Sequence, residues 1–577
     1  MIRFLLGIFF SLLFLNTMAT EVDSTSNKTD AFKISGGLGA SITFYGVDGI
    51  DPQRPPSFWS LRGSININIY NQVNIPFSFN ISQQNSNYTH PFNQFGITPH
   101  YKSVTLYLGY SAMNLSEYSV NGINFLGTGI DINPSNSWVR GKALIGRFSK
   151  SVPYSSESTL FISNPAYERW GYGLMLEVGK KQNNIGLIVF KAQDIPSSNN
   201  SIPNDFQLNP AENIIFGLTT FQRISSKIRF KGELDHSAYT QNINEDPISV
   251  NSYTYANHLG SLFQPRLSTT FNYALKGDLD YSFKKFMVGI RYKRLGPDYQ
   301  SMGTVFIENN KEEYLLKIRG MALKNKLTYM ANGGLQRSNL NNHNLSTNLR
   351  FIGALNVSYT FSPKLNLGLS YSNFNTSNQI QQISHADSVR YVQTTNNIGI
   401  SSNYNFKTEN KTHTIIFIAN YSKAYTLYKT STFQYVLPDT IIEVTGSERE
   451  TENGFFNSNI GYNLGITSWR AFTNLSINYS DMRDENFISQ TIGPIITIGK
   501  TMLDKKLRLS LSVSYLNTLM DNKSSGNIFN NRLMVSYRFH RKHSFRLFVL
   551  NVNRKFTDNS RNSYSEYRGG IEYRYRF

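Results

Sequence analysis

The side chains of this sequence that could do chemistry are mainly cations placed at alternate positions of short alternating segments. Arginine and lysine bind anions through charged hydrogen bonds, and a guanidinium presents its donors in a fixed plane. The cations predicted to point into the interior of the fold include Arg291, Lys317, Arg319, Arg350, Arg532, Arg538, Arg574 and Arg576. Fewer acidic residues share that face, among them Asp278, Asp280 and Glu572. Two interpretations follow: an interior that attracts anions, or structural ion pairs across strands that select nothing.

Catalytic and metal-binding patterns do not emerge from the remaining polar residues. The nine histidines, for example His236 and His413, have no spacing to serine and asparagine that distinguishes them from loop residues. No HExxH, paired-histidine or phosphate-loop motif occurs in the sequence. There is no cysteine, which excludes disulfides, thiolate metal sites and lipidation at a cysteine. We therefore predict no catalytic, cofactor or metal site, and we expect that the protein is not an enzyme.

The elements that carry the cations are strands, as the C-terminus illustrates. One face of the last segment is apolar and the other is charged. The apolar face holds Tyr567, Ile571, Tyr573, Tyr575 and Phe577, and the charged face holds Arg568, Glu572, Arg574 and Arg576. A period of two predicts a β-strand, and a strand of this kind suits a transmembrane barrel that meets lipid outside and water inside. The residues Tyr573, Tyr575 and Phe577 resemble the C-terminal signal by which bacterial outer-membrane barrels are recognised for assembly.

The same alternation recurs along the chain in segments of about ten residues or more, the length that a tilted strand needs to cross a bilayer. Counting back from Phe577 gives about nineteen strands down to Trp170 and six or seven before it. The pattern defines the boundaries poorly between residues 112 and 170. We predict an all-β fold: a large closed antiparallel transmembrane β-barrel of about 26 strands, within a range of 22–26.

The connections between these segments fall into two classes. Short ones include Ser225-Ser226, Lys284-Lys285 and Arg541-Lys542, and long ones include 240–267 and 424–450. From Gly171 onward the two classes are expected to alternate without a break, which predicts short periplasmic turns and long extracellular loops. Aromatic residues make up 14% of the chain, which fits girdles at the membrane interfaces.

The N-terminus is typical of a secretory signal peptide. Arg3 precedes an apolar run, and Thr17-Met18-Ala19 offers a small-residue cleavage site. We predict a signal peptide over 1–19, a short periplasmic tail over 20–30 and the barrel over 31–577, with no room for a plug domain before the first strand. A barrel of this width would leak unless something filled its lumen. Candidates are Gln83 to His100 and the region of Gln264, although both could equally form a surface cap.

The net charge of +19 raises the question of nucleic-acid binding. The basic residues lie singly on strands or in tight turns rather than in a tail or helix, so we predict no nucleic-acid partner. The expected partners are outer-membrane lipid and lipopolysaccharide, the barrel-assembly machinery during biogenesis, and possible envelope proteins. The expected location is the bacterial outer membrane.

Several short stretches resemble outer-membrane barrels of Bacteroidota whose role is unassigned. They include Pro56 to Gly63, Pro91 to Pro99, Asn124 to Gly127 and Gly296 to Gly303. The resemblance implies an envelope location and a barrel fold, and it brings no substrate and no catalytic residues.

These observations favour a channel or transport pore for small polar solutes. The alternative is a non-conducting barrel subunit that scaffolds an envelope machine for secretion, motility or barrel assembly. A third possibility is a transporter of lipid or hydrophobic ligands that opens laterally between weakly paired strands. A pore should conduct ions when purified alone, whereas a scaffold should be blocked and should co-purify with partners.

Overall fold

The structure is a computed structural model that describes most of the chain after residue 30. The described ranges are 31–83, 88–154, 165–203, 208–340, 349–378, 390–429, 433–437, 440–444, 448–558 and 561–577. The predicted signal peptide (1–19) and periplasmic tail (20–30) lie outside the described residues.

Within these ranges, twenty-six strands form one closed antiparallel sheet in which each strand pairs with its neighbours in the chain. We number them β1 to β26 in chain order. They are Phe32–Asp48, Ser57–Ile69, Val73–Ser82, β4 in two parts (Gln94–Ile97 and His100–Tyr101), Val104–Ala112, Asn124–Ile132, Val139–Ser149, Glu168–Lys180, Asn183–Ile195, Glu212–Arg223, Ile228–Thr240, Thr269–Ser282, Phe286–Leu295, Lys311–Ala322, Leu327–Ser338, Leu349–Ser362, Leu365–Asn378, Arg390–Lys407, Lys411–Lys429, Glu448–Ile466, Ala471–Arg483, Ile488–Met502, Leu507–Met520, Lys523–His540, His543–Phe556 and Tyr564–Arg576.

The barrel closes where β26 returns to β1. The two strands pair from Gly37 opposite Arg576 to Asp48 opposite Ser565. Gly36 and Phe577 exchange backbone hydrogen bonds of 3.0 and 3.2 Å beyond the last pair. Nineteen strands run from the one that contains Trp170 to the C-terminus and seven precede it, so the predicted barrel of about 26 strands is confirmed.

Shorter elements lie in the connections. Two residue pairs, Val120–Asn121 and Gly303–Thr304, form a small parallel sheet, and Phe433–Leu437 pairs with Thr440–Val444 as a hairpin. Among the described loop residues, three 3-10 turns span Pro196–Ser198, Thr254–His258 and Gly260–Leu262. Within the part of the chain that is described, no helix has the length and apolar character to cross a bilayer.

The outer face of the barrel is apolar because the strand alternation aims one set of side chains outward. On β8, Leu174 is 55% exposed, whereas its neighbour Met175 is 6% exposed on the lumen side. Comparable exposed leucine, isoleucine and phenylalanine side chains line the outside of most other strands. Lipid is the solvent that favours such a surface, and a closed sheet leaves no unpaired edge in it. The chain is therefore a transmembrane barrel of the outer-membrane type.

All four tryptophans of the chain lie exposed near the two rims of the barrel. Trp59 and Trp170 lie at the start of β2 and β8, close to the long loops. Trp138 and Trp469 lie in tight turns at the opposite end. An indole ring favours the interface between lipid and water, so the two pairs indicate the two membrane boundaries.

The two ends of the barrel differ in their connections, and we name them the turn end and the loop end. Connections at the turn end span two to six residues, as at 102–103 and 133–138, whereas 241–268 is among the long ones at the loop end. The predicted asymmetry is confirmed, but the prediction of unbroken alternation is wrong in two places. The loop-end connections 484–487 and 521–522 are short. Asp521 and Asn522 both have positive φ angles (50° and 63°), as a two-residue hairpin turn requires.

Candidate functional site in the barrel lumen

Two loop-end segments fold into the lumen, and we call them together the inner cap. The segment 113–123 joins β5 to β6, and the segment 296–310 joins β13 to β14. They meet in the small parallel sheet, where Gly303 lies opposite Val120. A Cβ added at Gly303 would lie 2.4 Å from the backbone oxygen of Ser119, so the contact requires glycine. The cap is therefore a fitted assembly of two loops.

Apolar packing joins the inner cap to the lumen wall. Met113, Leu115, Val120, Ile123 and Met302 of the cap contact wall residues from β6 to β10. The wall residues of this cluster are Phe125, Leu144, Phe148, Met175, Ile188, Phe190, Ala192 and Ile215. The centre of the Phe148 ring lies 5.5 Å from the ring centres of both Phe125 and Phe190. This core, buried inside the lumen, holds the cap against one side of the wall.

Hydrogen bonds from wall side chains fix the backbone of the cap. Glu233 Oε1 accepts from the Tyr118 amide at 3.0 Å, and Asn213 Oδ1 accepts from the Met302 amide at 3.2 Å. The Ser237 hydroxyl donates to the Gln300 carbonyl at 2.7 Å. These wall residues lie on β10 and β11. Buried backbone groups need hydrogen-bond partners, and these wall side chains supply them to the docked cap.

An ion pair adds a charged anchor. Lys276 of β12 pairs with the carboxylate of Glu117, and Lys293 of β13 lies 3.6 Å from it. Burial by itself would raise the pKa of Glu117, but the hydrogen bond and charge of Lys276 outweigh it, and the pKa is lowered. Burial and the charges of nearby carboxylates raise the pKa of Tyr118 and Tyr299. Tyr299 therefore stays a neutral donor to the Tyr118 carbonyl at 3.1 Å.

The sequence offers two segments, Gln83 to His100 and the region of Gln264, as lumen fillers or equally as surface caps, and residues 84–87 of the first lie outside the described residues. Part of the stretch from Gln83 to His100 forms β4 of the wall, and Phe92 and Phe95 in it are exposed. The region of Gln264 lies outside, since Phe263 packs on Ile214 and Ala238 of the outer face. Sequence reasoning missed 113–123, although its five apolar residues are unusual for a solvated loop. The stretches 124–127 and 296–303 that resemble other barrels fall in the wall beside the cap and in the cap itself.

The segment around Phe263 also covers a charged pair on the outer face near the loop end. Lys191 of β9 and Glu212 of β10 lie 2.7 Å apart and are almost fully buried. Lys191 also donates to the Leu262 carbonyl. The loop thus shields two charges that would otherwise face the membrane boundary, where an unpaired charge is costly.

The lumen cations predicted from the sequence differ in their partners. Arg291 and Lys317 face the lumen and pair with Asp278, the arginine at 2.8 Å, and Lys317 also lies 3.2 Å from Asp280. These two are structural ion pairs across β12, β13 and β14. For Arg291 and Lys317 the geometry therefore favours the interpretation of structural ion pairs that do not select anions.

Two further predicted cations, Arg319 and Arg532, lack such partners among the described residues. Arg319 on β14 and Arg532 on β24 are exposed on the lumen face and form no ion pair with any described residue. Position 350 lies opposite Gln336 in the register of β15 and β16.

Arg538, Arg574 and Arg576 converge at the turn end, in a lumen cavity of about 660 Å³ that we call the basic mouth. Ten of the seventeen residues that line it are lysine or arginine. These ten are Arg470, Lys505, Lys506, Arg508, Arg538, Arg541, Lys542, Arg546, Arg574 and Arg576. Glu572 is the one acidic residue among the described residues that line it. The cations of the basic mouth thus exceed the nearby carboxylates, in contrast to the paired cations around Asp278.

The wall next to the basic mouth is hydrophilic. Along β21 to β24 most lumen-facing side chains are small hydroxyl and amide groups, and most leucines and isoleucines face outward. The apolar exceptions on the lumen face include Ile495, Leu516, Ile528 and Met534. Thr497 and Ser512 share a hydrogen bond of 2.9 Å, and Asn530 donates to Ser514 at 3.1 Å. The hydroxyl and amide groups of this wall bind water, unlike the apolar side of the lumen that the inner cap covers.

The predicted C-terminal signal residues lie at the turn end on the outer face. Tyr573 and Tyr575 belong to an aromatic cluster with His543, whose Nδ1 lies 2.7 Å from the Tyr573 hydroxyl. The Phe577 ring lies 5.4 Å from that of Tyr575. The cluster stands beside the closing pair of strands, and its role in assembly stays a prediction.

A smaller cavity of about 240 Å³ lies between the cap and the loop end. Arg169 and Asp194, which line it, pair at 2.8 Å. Burial and the nearby charge of Arg169 lower the pKa of His90, so this ring is neutral at pH 7. Within the described residues, no cluster of three or more histidine and carboxylate side chains could hold a metal ion.

Comparison with known proteins shows similarity in structure alone. No family model matches the sequence, and no curated protein is similar to it. The FrpB iron transporter of Neisseria meningitidis aligns with 94% of this chain and 81% of its own, at 9% identity and a TM-score of 0.36. A mutant form of the ferric enterobactin receptor PfeA of Pseudomonas aeruginosa aligns with 96% and 81% at 8% identity and a TM-score of 0.38. The translocation pore of the P pilus usher PapC aligns with 94% and 99% at 10% identity and a TM-score of 0.29. At these values the cargo of those proteins does not carry over to this chain.

Proposed function

We propose that the protein is an outer-membrane channel for small polar solutes, with a preference for anions. One observation carries this proposal: the lumen has two unlike sides. The inner cap packs on the side from β5 to β13, whereas hydroxyl and amide side chains predominate on the side from β21 to β24, which ends at the basic mouth. A hydrophilic wall that leads to a cationic opening is what an anion-conducting path needs.

The inner cap narrows a pore that would otherwise be very wide. A barrel of 26 strands encloses a lumen much wider than a small solute. A segment fixed on one side narrows the path without closing it, and it moves the solute toward the hydrophilic side. The excess of cations at the basic mouth then raises the local concentration of anions.

Electrical recording on the purified full-length chain in planar bilayers tests the proposal. We expect steady conductance in KCl and, under a salt gradient, a reversal potential of the sign that chloride selectivity gives. A reversal potential of the opposite sign would refute the anion preference. Insertion of folded protein without conductance would refute the channel itself.

The scaffold alternative has one observation in its favour. Val305 and Phe306, at the loop end of the cap, are 71% and 75% exposed, which is unusual for apolar side chains in an aqueous region. A partner protein on the outside could cover them. Isolation from native membranes discriminates the two functions, because a scaffold would come with a stoichiometric partner and would stay silent in bilayers.

Further assignments that the sequence suggests are part of the proposal. They are contact with lipopolysaccharide at the loop end, delivery by the barrel-assembly machinery through Tyr573, Tyr575 and Phe577, membership of a Bacteroidota barrel family, and a role other than catalysis. Exchange of Phe577 for a polar residue, followed by fractionation of the cell envelope, tests the assembly signal.

A further inference from the structure

We propose that the basic mouth is a specific site for a small solute that carries two phosphate groups, and that it uses two matched Arg-Ser-Arg cradles. This inference rests on the proposed channel function and names the class of solute that its mouth selects. The two cradles follow from the register of β23 to β26.

The first cradle spans β23, β24 and β25. Arg508 lies directly opposite Ser536, and Ser536 lies directly opposite Arg546. All three residues line the basic mouth. Neighbouring strands lie about 4.8 Å apart, so the two arginines are about 10 Å apart at the backbone with a small hydroxyl between them. That gap accepts one tetrahedral anion between two guanidinium groups.

The second cradle repeats the pattern one strand further on. Ser544 of β25 lies opposite Arg574 of β26. On its other side the register of β24 shifts between Tyr537 and His540, so that Arg538 and Phe539 together oppose Ser544. This is a β-bulge, an irregularity that re-aims a side chain. Arg538, Ser544 and Arg574 all line the same cavity.

The polar groups of both cradles are available to a ligand. Within the described residues, the hydroxyls of Ser536 and Ser544 form no hydrogen bond, although each is flanked by arginines. The Arg508 guanidinium lies 5.7 Å from the centre of the Phe472 ring, which orients its plane. Arg546 and Arg574 each form one ion pair with Glu572, and each guanidinium has further N–H donors that can bind a ligand.

The spacing of the two cradles sets the class of solute. Ser536 and Ser544 are diagonal neighbours on adjacent strands, since Ser536 pairs with Arg546, two residues after Ser544. Such positions lie about 7–8 Å apart. Two phosphates of one diphosphate group are too close together to occupy both cradles. Two phosphates at opposite ends of a small sugar can reach both, and the cavity of about 660 Å³ accommodates a molecule of that size.

Titration calorimetry on the purified full-length protein in detergent tests this inference. The probes are fructose 1,6-bisphosphate, glucose 6-phosphate and adipate, at a fixed salt concentration. We expect the bisphosphate to bind at least about tenfold more tightly than the monophosphate, because it gains a second set of charged hydrogen bonds. Equal affinities for these two sugars would overturn the two-cradle site. Equal affinities for adipate and the bisphosphate would overturn the assignment to phosphate.

Variants locate the site. Arg508→Gln removes one side of the first cradle and Arg574→Gln one side of the second, and each should reduce bisphosphate binding to the level of the monophosphate. Arg574→Lys keeps the charge but loses the planar donor set, so partial loss is expected. The matched control is Arg319→Gln, an exposed lumen arginine on β14. If the control lost as much affinity as the cradle variants, binding would be diffuse attraction and the site would be refuted.

Bilayer recording keeps this inference distinct from the channel proposal. Bisphosphate added on the turn-end side should reduce the chloride current of the wild type and leave that of Arg508→Gln almost unchanged. A protein that bound bisphosphate but never conducted would refute the channel and leave the site standing. A protein that conducted without binding or block would refute the site alone.

Discussion

Glu572 lies directly opposite Arg546 across β25 and β26 and accepts a bond from it at 3.4 Å. The same carboxylate accepts from Arg574 at 2.9 Å. It therefore joins the two cradles of the basic mouth, and its side chain is 15% exposed while its partners are far more open. One carboxylate among ten cations acts as an internal anion that a solute must compete with.

Replacement of the Glu572 carboxylate should increase the affinity of the basic mouth for anions. In Glu572→Gln the two arginines lose a competing charge, so we expect affinity for inorganic phosphate to rise about two- to fivefold, the scale of an exposed ion pair. Calorimetry at low and high salt measures the change, which should shrink as salt rises. A fall in affinity would show that Glu572 positions the arginines more than it competes with solute.

The charged anchor of the inner cap should respond to acid. Because the pKa of Glu117 is lowered in the folded protein, its ion pairs stabilise the docked cap above the usual glutamate value of 4.5, and that stabilisation is lost as the pH falls through the lowered pKa. We expect larger and noisier conductance below that value and a steady level from about pH 5 to 8.

The control for the acid response is Glu117→Gln, which removes the titrating group but keeps the shape of the side chain. Its conductance at pH 7 should resemble that of the wild type at low pH. A variant that kept the full acid response would show that another group controls the cap.

The apolar core under the cap should contribute strongly to stability. Phe190 is fully buried between Phe148 and the cap, so Phe190→Ala removes a packed ring and leaves a cavity. We expect the free energy of unfolding, measured with urea on protein in lipid vesicles, to be about 3–5 kcal/mol lower than that of the wild type. Phe351→Ala, at an outward position that is 56% exposed, is the matched control and should lose less. Similar losses in both variants would argue against a packed core inside the lumen.

Sequence patterns predicted the wall of this barrel far better than its contents. The period of two in β26 and its neighbours follows from a local rule, since each side chain faces either lipid or lumen. The inner cap depends on contacts between residues far apart in the chain, such as Tyr118 with Tyr299, which leave no periodic trace. The cradles likewise require the register of four strands and a bulge at Arg538, so alternation placed their arginines in the lumen but could not pair them with Ser536 and Ser544.

The contact between the two cap segments gives a last prediction. Gly303 lies under Ser119, where an added Cβ would approach the backbone oxygen to 2.4 Å, and its other neighbour is the Phe190 ring at 2.9 Å. Neither a backbone atom nor a buried ring can move aside at low cost, so Gly303→Ala should separate the two segments while the 26 strands still close. We expect the heat-dependent gel shift of a folded barrel to persist, and we expect limited proteolysis to cleave the variant within 113–123 or 296–310.

The control is Gly122→Asn. Gly122 has open space around its Cα, and asparagine tolerates its φ of 69°. Cleavage of the control at the same rate as Gly303→Ala, or protection of both, would show that close approach at Gly303 does not hold the cap together.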